Sequence, residues 1–179
     1  MIHPDIESVL IGEDEIKERV AAVAAEIRGG MGQTNPMLIG VLKGSFVFMA
    51  DLARALDMDC EIDFMGMSSY GAGIESSGKG IITRDASLNV EGRDVIVAED
   101  ILDSGNTLSR IMAVLKTRKP RSLKLCVLLD KPSRRTAEIE ADYVGFTVPD
   151  AFIVGYGLDY AERYRCLPYI GILKQDIYS

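Results

Sequence analysis

The sequence predicts an α/β protein with a central, mostly parallel sheet flanked by helices, and three observations carry that expectation. Predominantly apolar runs at Met37 to Leu42, Val95 to Ala98 and Leu123 to Leu129 suit strands covered on both faces, where inside and outside need not alternate. Apolar residues also recur at helical spacing, first as Ile16, Val20, Val23 and Ile27, later as Leu108, Ile111, Met112 and Leu115. Finally, the apolar runs end in polar turns, at the edge where open α/β sheets place their ligands.

Taken in order, the N-terminal arm carries little signal. Glu13 to Arg28 reads as an amphipathic helix ended by Gly29-Gly30. Met37 to Leu42 follows as a buried strand, then Lys43-Gly44-Ser45 as a turn into a helix from Phe46 to about Leu56. Cys60, Ile62 and Phe64 alternate with Asp59, Glu61 and Asp63, which predicts a strand with one solvated face. The Gly- and Ser-rich stretch from Ser68 to Gly80 predicts a mobile loop, and Ile81 to Thr83 its returning strand. The helix beginning near Leu108 runs to about Arg118, since Pro120 prevents its continuation. Leu123 to Leu129, Tyr143 to Val148, Phe152 to Tyr156 and Ile170 to Leu173 are further strands, and the basic pair Arg134-Arg135 lies between the first two of these.

At 179 residues the chain suits a single domain, 1–179, with a substantial core. No apolar run reaches the length of a membrane span, and the start of the sequence lacks the basic and apolar regions of a secretory signal, so a cytoplasmic protein without a membrane partner is expected. A net charge of −7 argues against general nucleic-acid binding, which needs a basic face. Cys60, Cys126 and Cys166 are widely spaced and odd in number, which suggests neither a disulfide framework nor a zinc site. His3 is the only histidine and falls in the terminal arm, so Ser-His or Cys-His chemistry is not expected.

The most informative stretch is Val95 to Thr107. A buried strand ends in Glu99 and Asp100, and Asp103-Ser104-Gly105-Asn106-Thr107 opens a helix. Free backbone N–H groups and hydroxyls at such a start make a cradle for a phosphate. A nucleotide-binding P-loop at Gly40 to Ser45 is rejected, because the Gly-x-x-x-x-Gly-Lys spacing is absent.

The stretch closely resembles the signature of the type I phosphoribosyltransferases, in which an acidic pair precedes a phosphate-gripping loop. The resemblance covers nearly the whole chain and implies that family's fold, with a small hood and a mobile lid loop. It implies that Glu99 and Asp100 hold the ribose hydroxyls of phosphoribosyl pyrophosphate, and that Asp103, Ser104, Gly105, Asn106 and Thr107 hold its 5-phosphate. Leu42-Lys43-Gly44-Ser45 resembles the pyrophosphate loop of the hypoxanthine-guanine branch, in which the Leu-Lys peptide is commonly cis. Ser69 and Tyr70 match that branch's closing lid. Lys131 matches the ammonium that donates to the 6-oxo group of the purine; an ammonium has donors only and cannot pair with adenine's amino group. Phe152 matches the residue stacked on the base, and Ile153 the one whose backbone pairs with the base edge. Asp159 matches a residue near the pyrophosphate-bound metal, Arg165 a cation on pyrophosphate, and Asp103 the general acid/base beside N7.

The implied reaction is transfer of the 5-phosphoribosyl group to N9 of a 6-oxopurine base, giving a purine nucleoside monophosphate and pyrophosphate. Mg²⁺ is the expected cofactor, with Glu99, Asp100 and Asp159 as its candidate ligands, and a homodimer or homotetramer is the expected assembly. Three alternatives stand beside this reading: a xanthine-preferring enzyme, a phosphoribosyltransferase-like regulator that binds nucleotide, and an unrelated α/β module whose acidic strand end holds a metal.

Overall fold

The structure, a computed structural model, describes residues 2–32, 34–68 and 81–179. Ser69 and Tyr70, with the rest of the expected lid, lie outside them. The chain runs β1 (Ile6–Ile11), α1 (Glu13–Met31), β2 (Met37–Leu42), α2 (Phe46–Ala55), β3 (Glu61–Ser68), β4 (Ile81–Arg84), β5 (Asp94–Leu102), α3 (Asn106–Thr117), β6 (Ser122–Asp130), β7 (Tyr143–Thr147), β8 (Ile153–Val154), β9 (Ile170–Leu173) and α4 (Gln175–Tyr178).

Among the described residues the main sheet has the order β4-β3-β2-β5-β6-β7, parallel except where β4 pairs with β3. Successive residues of its central strands serve opposite faces. Leu38, Ile96, Ala98, Cys126 and Leu128 pack with α1 and α2, whereas Met37, Ile39, Val95, Val97, Leu125 and Val127 pack with α3. Apolar residues fill consecutive positions in the centres of these strands because both faces are covered. Burying each of the larger side chains stabilises the fold by roughly 1.5–3 kcal/mol. A smaller antiparallel sheet, β1-β9-β8, has a core of its own around Ile6, Val154, Tyr164 and Leu173, and corresponds to the expected hood.

Several expectations are corrected. The α1 helix runs through Gly29-Gly30 and ends at Gly32, whose φ of 62° and N–H bond to Arg28 O close it. In β3 the inner and outer residues differ from the expected set: Asp63 is buried and Ile62 is 48 % exposed. Asp63 accepts the N–H groups of Phe64, Ser87 and Leu88; burial pushes its carboxyl up, but these three bonds outweigh it and hold the group below its usual range. Strand β1 was not expected, because register shifts between Ile6 and Ser8 and between Val9 and Ile11 break the alternation that would reveal it. Strand β8 is shorter than the run from Phe152 to Tyr156, and α4 was not anticipated.

Candidate active site

The chain order sets the position of the site. From β2 it moves outward to β3, and from β5 it moves the other way to β6 and β7, so the order reverses between β2 and β5. A reversal of this kind opens a crevice beyond the carboxyl ends of the strands. The register shows where it starts: β2–β5 pairing stops at Gly40 and Ala98, while β5 stays paired to β6 as far as Leu102 and Asp130. Glu99 and Asp100 therefore do not end the strand, as the sequence suggested. They lie within it, beyond the point where β2 has left.

Neighbouring residues of a strand project to opposite faces, which separates the two carboxylates. Glu99 lines a cavity of roughly 230 Å³ with Asp103, Ser104, Gly105 and Thr107, and its Oε2 is buried without a partner. Burial, and then the charge of Asp100, push its carboxyl well up. Asp100 instead meets the turn after β2, where the Leu42-Lys43 peptide is cis. A Cβ at Gly44 would overlap Asp100 Oδ2, and one at Gly157 would overlap Gly44 O. Burial pushes the Asp100 carboxyl up to about 6, while the Ile101 N–H and the Arg165 guanidinium pull it down.

Arg165 gathers the remaining polar groups. It pairs with Asp159 at 2.9 Å and Glu162 at 3.3 Å and donates to Gly157 O at 2.8 Å; Lys43 reaches the same Glu162 at 3.1 Å. Lys43 and Arg165 line a separate hollow of roughly 840 Å³ beside the exposed Phe46.

The turn expected to hold phosphate takes its shape from Gly105, which precedes α3 with φ 83°, a conformation costly to residues with a Cβ. The first turn of α3 presents N–H groups that the helix itself cannot use. Behind the loop stands Arg135, whose role the sequence did not disclose. Its guanidinium donates to Asp103 O at 2.9 Å, Ile139 O at 2.8 Å and Leu102 O at 3.1 Å, and pairs with Asp130. Thr136 and Ala137 add N–H bonds to Ser104 O, and Asn106 Nδ2 reaches Thr136 Oγ1 at 3.3 Å.

A third cavity, roughly 500 Å³, contains Asp103, Lys131, Phe152, Ile153 and Asp159, all picked out from the sequence. Ile101, Arg134, Asp150, Ala151, Leu158 and Tyr178 complete it and were not picked out. Lys131 is only 5 % exposed; its Nζ donates to Ala151 O at 2.8 Å and stands 3.9 Å from Asp150. Arg134 lies between Asp103, at 3.7 Å, and Asp150, at 3.5 Å.

Asp103 borders both the phosphate-loop cavity and this third one. Among the described residues, the buried side-chain polar atoms without a partner are Glu99 Oε2, Asp103 Oδ1 and Arg165 Nε. Such orphans are costly: two of them, on Glu99 and Asp103, border the cavity of Ser104, Gly105 and Thr107, and the third, on Arg165, borders the hollow of Lys43. No cluster of three or more His, Cys, Asp or Glu side chains able to hold a metal occurs among the described residues. One or two carboxylates nevertheless suit Mg²⁺, which takes its other ligands from substrate phosphates and water.

Residues 12–161 match the family model described as the phosphoribosyl transferase domain. The chain belongs to the phosphoribosyl transferase family. Over its full length it is 54 % identical to the hypoxanthine-guanine phosphoribosyltransferase of Bacillus subtilis (strain 168), covering 99 % of that protein. It is also 56 % identical, over 99 % of its length, to the bifunctional protein TilS/HprT of Listeria monocytogenes serotype 4b, of which it spans only 28 %. A crystal structure of a hypoxanthine phosphoribosyltransferase from Staphylococcus aureus superposes with a TM-score of 0.93 at 46 % identity, covering 99 % of this chain and 96 % of that one. The fold is thus the type I phosphoribosyltransferase fold, and Glu99, Asp100 and the turn from Asp103 to Thr107 lie at its switch-point crevice.

Proposed function

We propose that this phosphoribosyltransferase acts in purine salvage, moving the 5-phosphoribosyl group of phosphoribosyl pyrophosphate to N9 of hypoxanthine or guanine and releasing pyrophosphate. The observation that carries the reading is the position of Asp103, on the boundary between the phosphate-loop cavity and the cavity of Lys131 and Phe152. A sugar phosphate held in the first meets a flat base held in the second at that residue. Near-full-length identity to relatives named for hypoxanthine and guanine favours these bases over xanthine, and favours an enzyme over a regulator.

The 5-phosphate sits on Ser104, Gly105, Asn106 and Thr107 at the N-terminus of α3, where free N–H groups and the helix dipole favour an anion. Glu99 and Asp100 hold the ribose hydroxyls. Loss of pyrophosphate leaves positive charge on the anomeric carbon, and Lys43, Gly44 and Arg165 stabilise the departing anion. Lid residues Ser69 and Tyr70 are assigned to excluding water. Phe152 stacks on the base, Ile153 pairs with its edge, and Lys131 donates to the 6-oxo oxygen. Asp103 takes up the purine proton as N9 attacks. Asp100 and Asp159, two carboxylates on the Arg165 side, would hold Mg²⁺ together with substrate oxygens, and the ion would supply charge neutralisation at pyrophosphate; Glu99, the third expected ligand, projects to the other face of β5. The reading treats residues 1–179 as one phosphoribosyltransferase domain and its assembly as a homodimer or homotetramer, which light scattering tests.

Steady-state assays with phosphoribosyl pyrophosphate, Mg²⁺ and hypoxanthine, guanine, xanthine, adenine or uracil test the function. Turnover of hypoxanthine and guanine, with adenine and uracil inert, is expected. Absence of pyrophosphate release with either oxopurine would overturn it.

A further inference from the structure

Phe152 reaches the cavity of Asp103 and Lys131 with 37 % of its surface exposed, yet it is not a free ring. Tyr178 stacks on it with centroids 4.5 Å apart and planes 19° from parallel, and Tyr160 meets it edge-on at 5.4 Å. A ring stacked at that distance leaves no room for a heterocycle between the two. The stacking face available to a base is the one turned away from Tyr178.

The backbone holds this arrangement in place. Leu173 N donates to Phe152 O at 2.8 Å, so the end of β9 is fastened to the residue that carries the ring. Lys174 N donates to Asp5 O at 3.0 Å, and the single turn of α4 then brings Tyr178 back over Phe152. On its other sides Tyr178 packs against the small-sheet core around Tyr164 and Leu173.

We infer that Tyr178 is a positioning residue of the base subsite, backing Phe152 so that its open face meets a flat heterocycle in a fixed plane. The inference rests on the assignment of Phe152 to base stacking. Without Tyr178 the partly exposed Phe152 ring gains rotamer freedom, which binding of the base must remove again. Loss of one aromatic stack and of that order corresponds to a roughly three- to tenfold weaker grip on the base.

The test measures kcat and KM for hypoxanthine and for phosphoribosyl pyrophosphate in Tyr178→Ala, Tyr178→Phe and Phe152→Leu enzymes. Tyr178→Ala should raise the hypoxanthine KM roughly three- to tenfold, leaving kcat and the phosphoribosyl pyrophosphate KM little changed, and Tyr178→Phe should restore the normal value. If Phe152→Leu raises the hypoxanthine KM but Tyr178→Ala leaves it unchanged, the inference fails while the base subsite stands. A lowered KM in Tyr178→Ala also overturns it, because the ring would then occupy the place of the base. Equal rises in both KM values would reduce Tyr178 to a general structural role. A Phe152→Leu enzyme with unaltered KM would remove the base subsite itself.

Discussion

Gly44 and Asp100 occupy one space: a Cβ on the glycine would stand 2.5 Å from the aspartate Cγ and overlap its Oδ2. The turn after β2 and the Asp100 carboxylate on β5 are therefore closely fitted, and a side chain on the turn at Gly44 cannot be added without moving one of them. Gly44→Ala must displace the Asp100 carboxylate or lift the turn. Overpacking of this kind costs about 1–3 kcal/mol in stability. Misplacement of about 1 Å within a reacting site costs on the order of a hundredfold in rate. Thermal denaturation and kcat/KM measured side by side should show activity falling far more than stability; full activity in the alanine variant would separate Gly44 from the site.

Asp103 borders both of the cavities proposed to hold the substrates, and its buried Oδ1 has no hydrogen-bond partner, Arg134 standing off at 3.7 Å. Asp103→Asn keeps the shape and removes the proton acceptor. Turnover is expected to drop by roughly 10²–10⁴-fold, with the affinity for the nucleotide product nearly unchanged. Comparable losses in both would make Asp103 a binding group only.

Lys131 is buried with its ammonium on Ala151 O and near Asp150, in the cavity proposed to take the base. Lys131→Met preserves length and removes every donor. One charged hydrogen bond to the 6-oxo oxygen is worth about 1.5–3 kcal/mol, so the hypoxanthine KM should rise roughly ten- to a hundredfold. The KM for phosphoribosyl pyrophosphate serves as the internal control.

Arg135 braces the proposed phosphate loop from behind through the carbonyls of Leu102, Asp103 and Ile139. A lysine carries the charge but not the planar fork that satisfies three acceptors and Asp130 at once. Arg135→Lys should raise the KM for phosphoribosyl pyrophosphate by about tenfold, as expected for the loss of roughly one net hydrogen bond's worth of order, and should affect the base KM less. A selective rise in the base KM would contradict the bracing role.

Asp94, at the start of β5, accepts from Arg121 Nε at 2.9 Å and Ser122 Oγ at 2.7 Å, and its side chain is only 8 % exposed. The bond from Arg121 pulls its carboxyl down from 3.8 to about 2, against the opposing effect of burial. A carboxyl depressed by folding contributes stability that is complete above its unfolded value and lost as pH falls through the folded one. The contribution at pH 7 is roughly 2 kcal/mol. Chemical denaturation of Asp94→Asn should show a deficit of that order at neutral pH, narrowing as pH drops below about 4. A pH-independent deficit would assign it to packing alone.

Local pattern in the sequence settled a good deal. The buried runs of β2, β5 and β6, the periodicity of α1 and α3, and the acidic pair followed by a polar turn into α3 are all properties of adjacent residues, so they can be read along the chain. Tertiary structure decided what depends on residues far apart. Strand β5 continues past Glu99 and Asp100 because β6 still pairs with it after β2 has turned away. Asp63 is buried because Ser87 and Leu88, some 25 positions on, bring it N–H groups. Arg135 and Tyr178 left no local pattern, since one acts on the backbone of a loop 32 positions earlier and the other on the ring of Phe152 across β9. Hydrophobic periodicity records which face of an element is covered; which partner covers it, and which side chain completes a cavity, is settled only when distant segments pack.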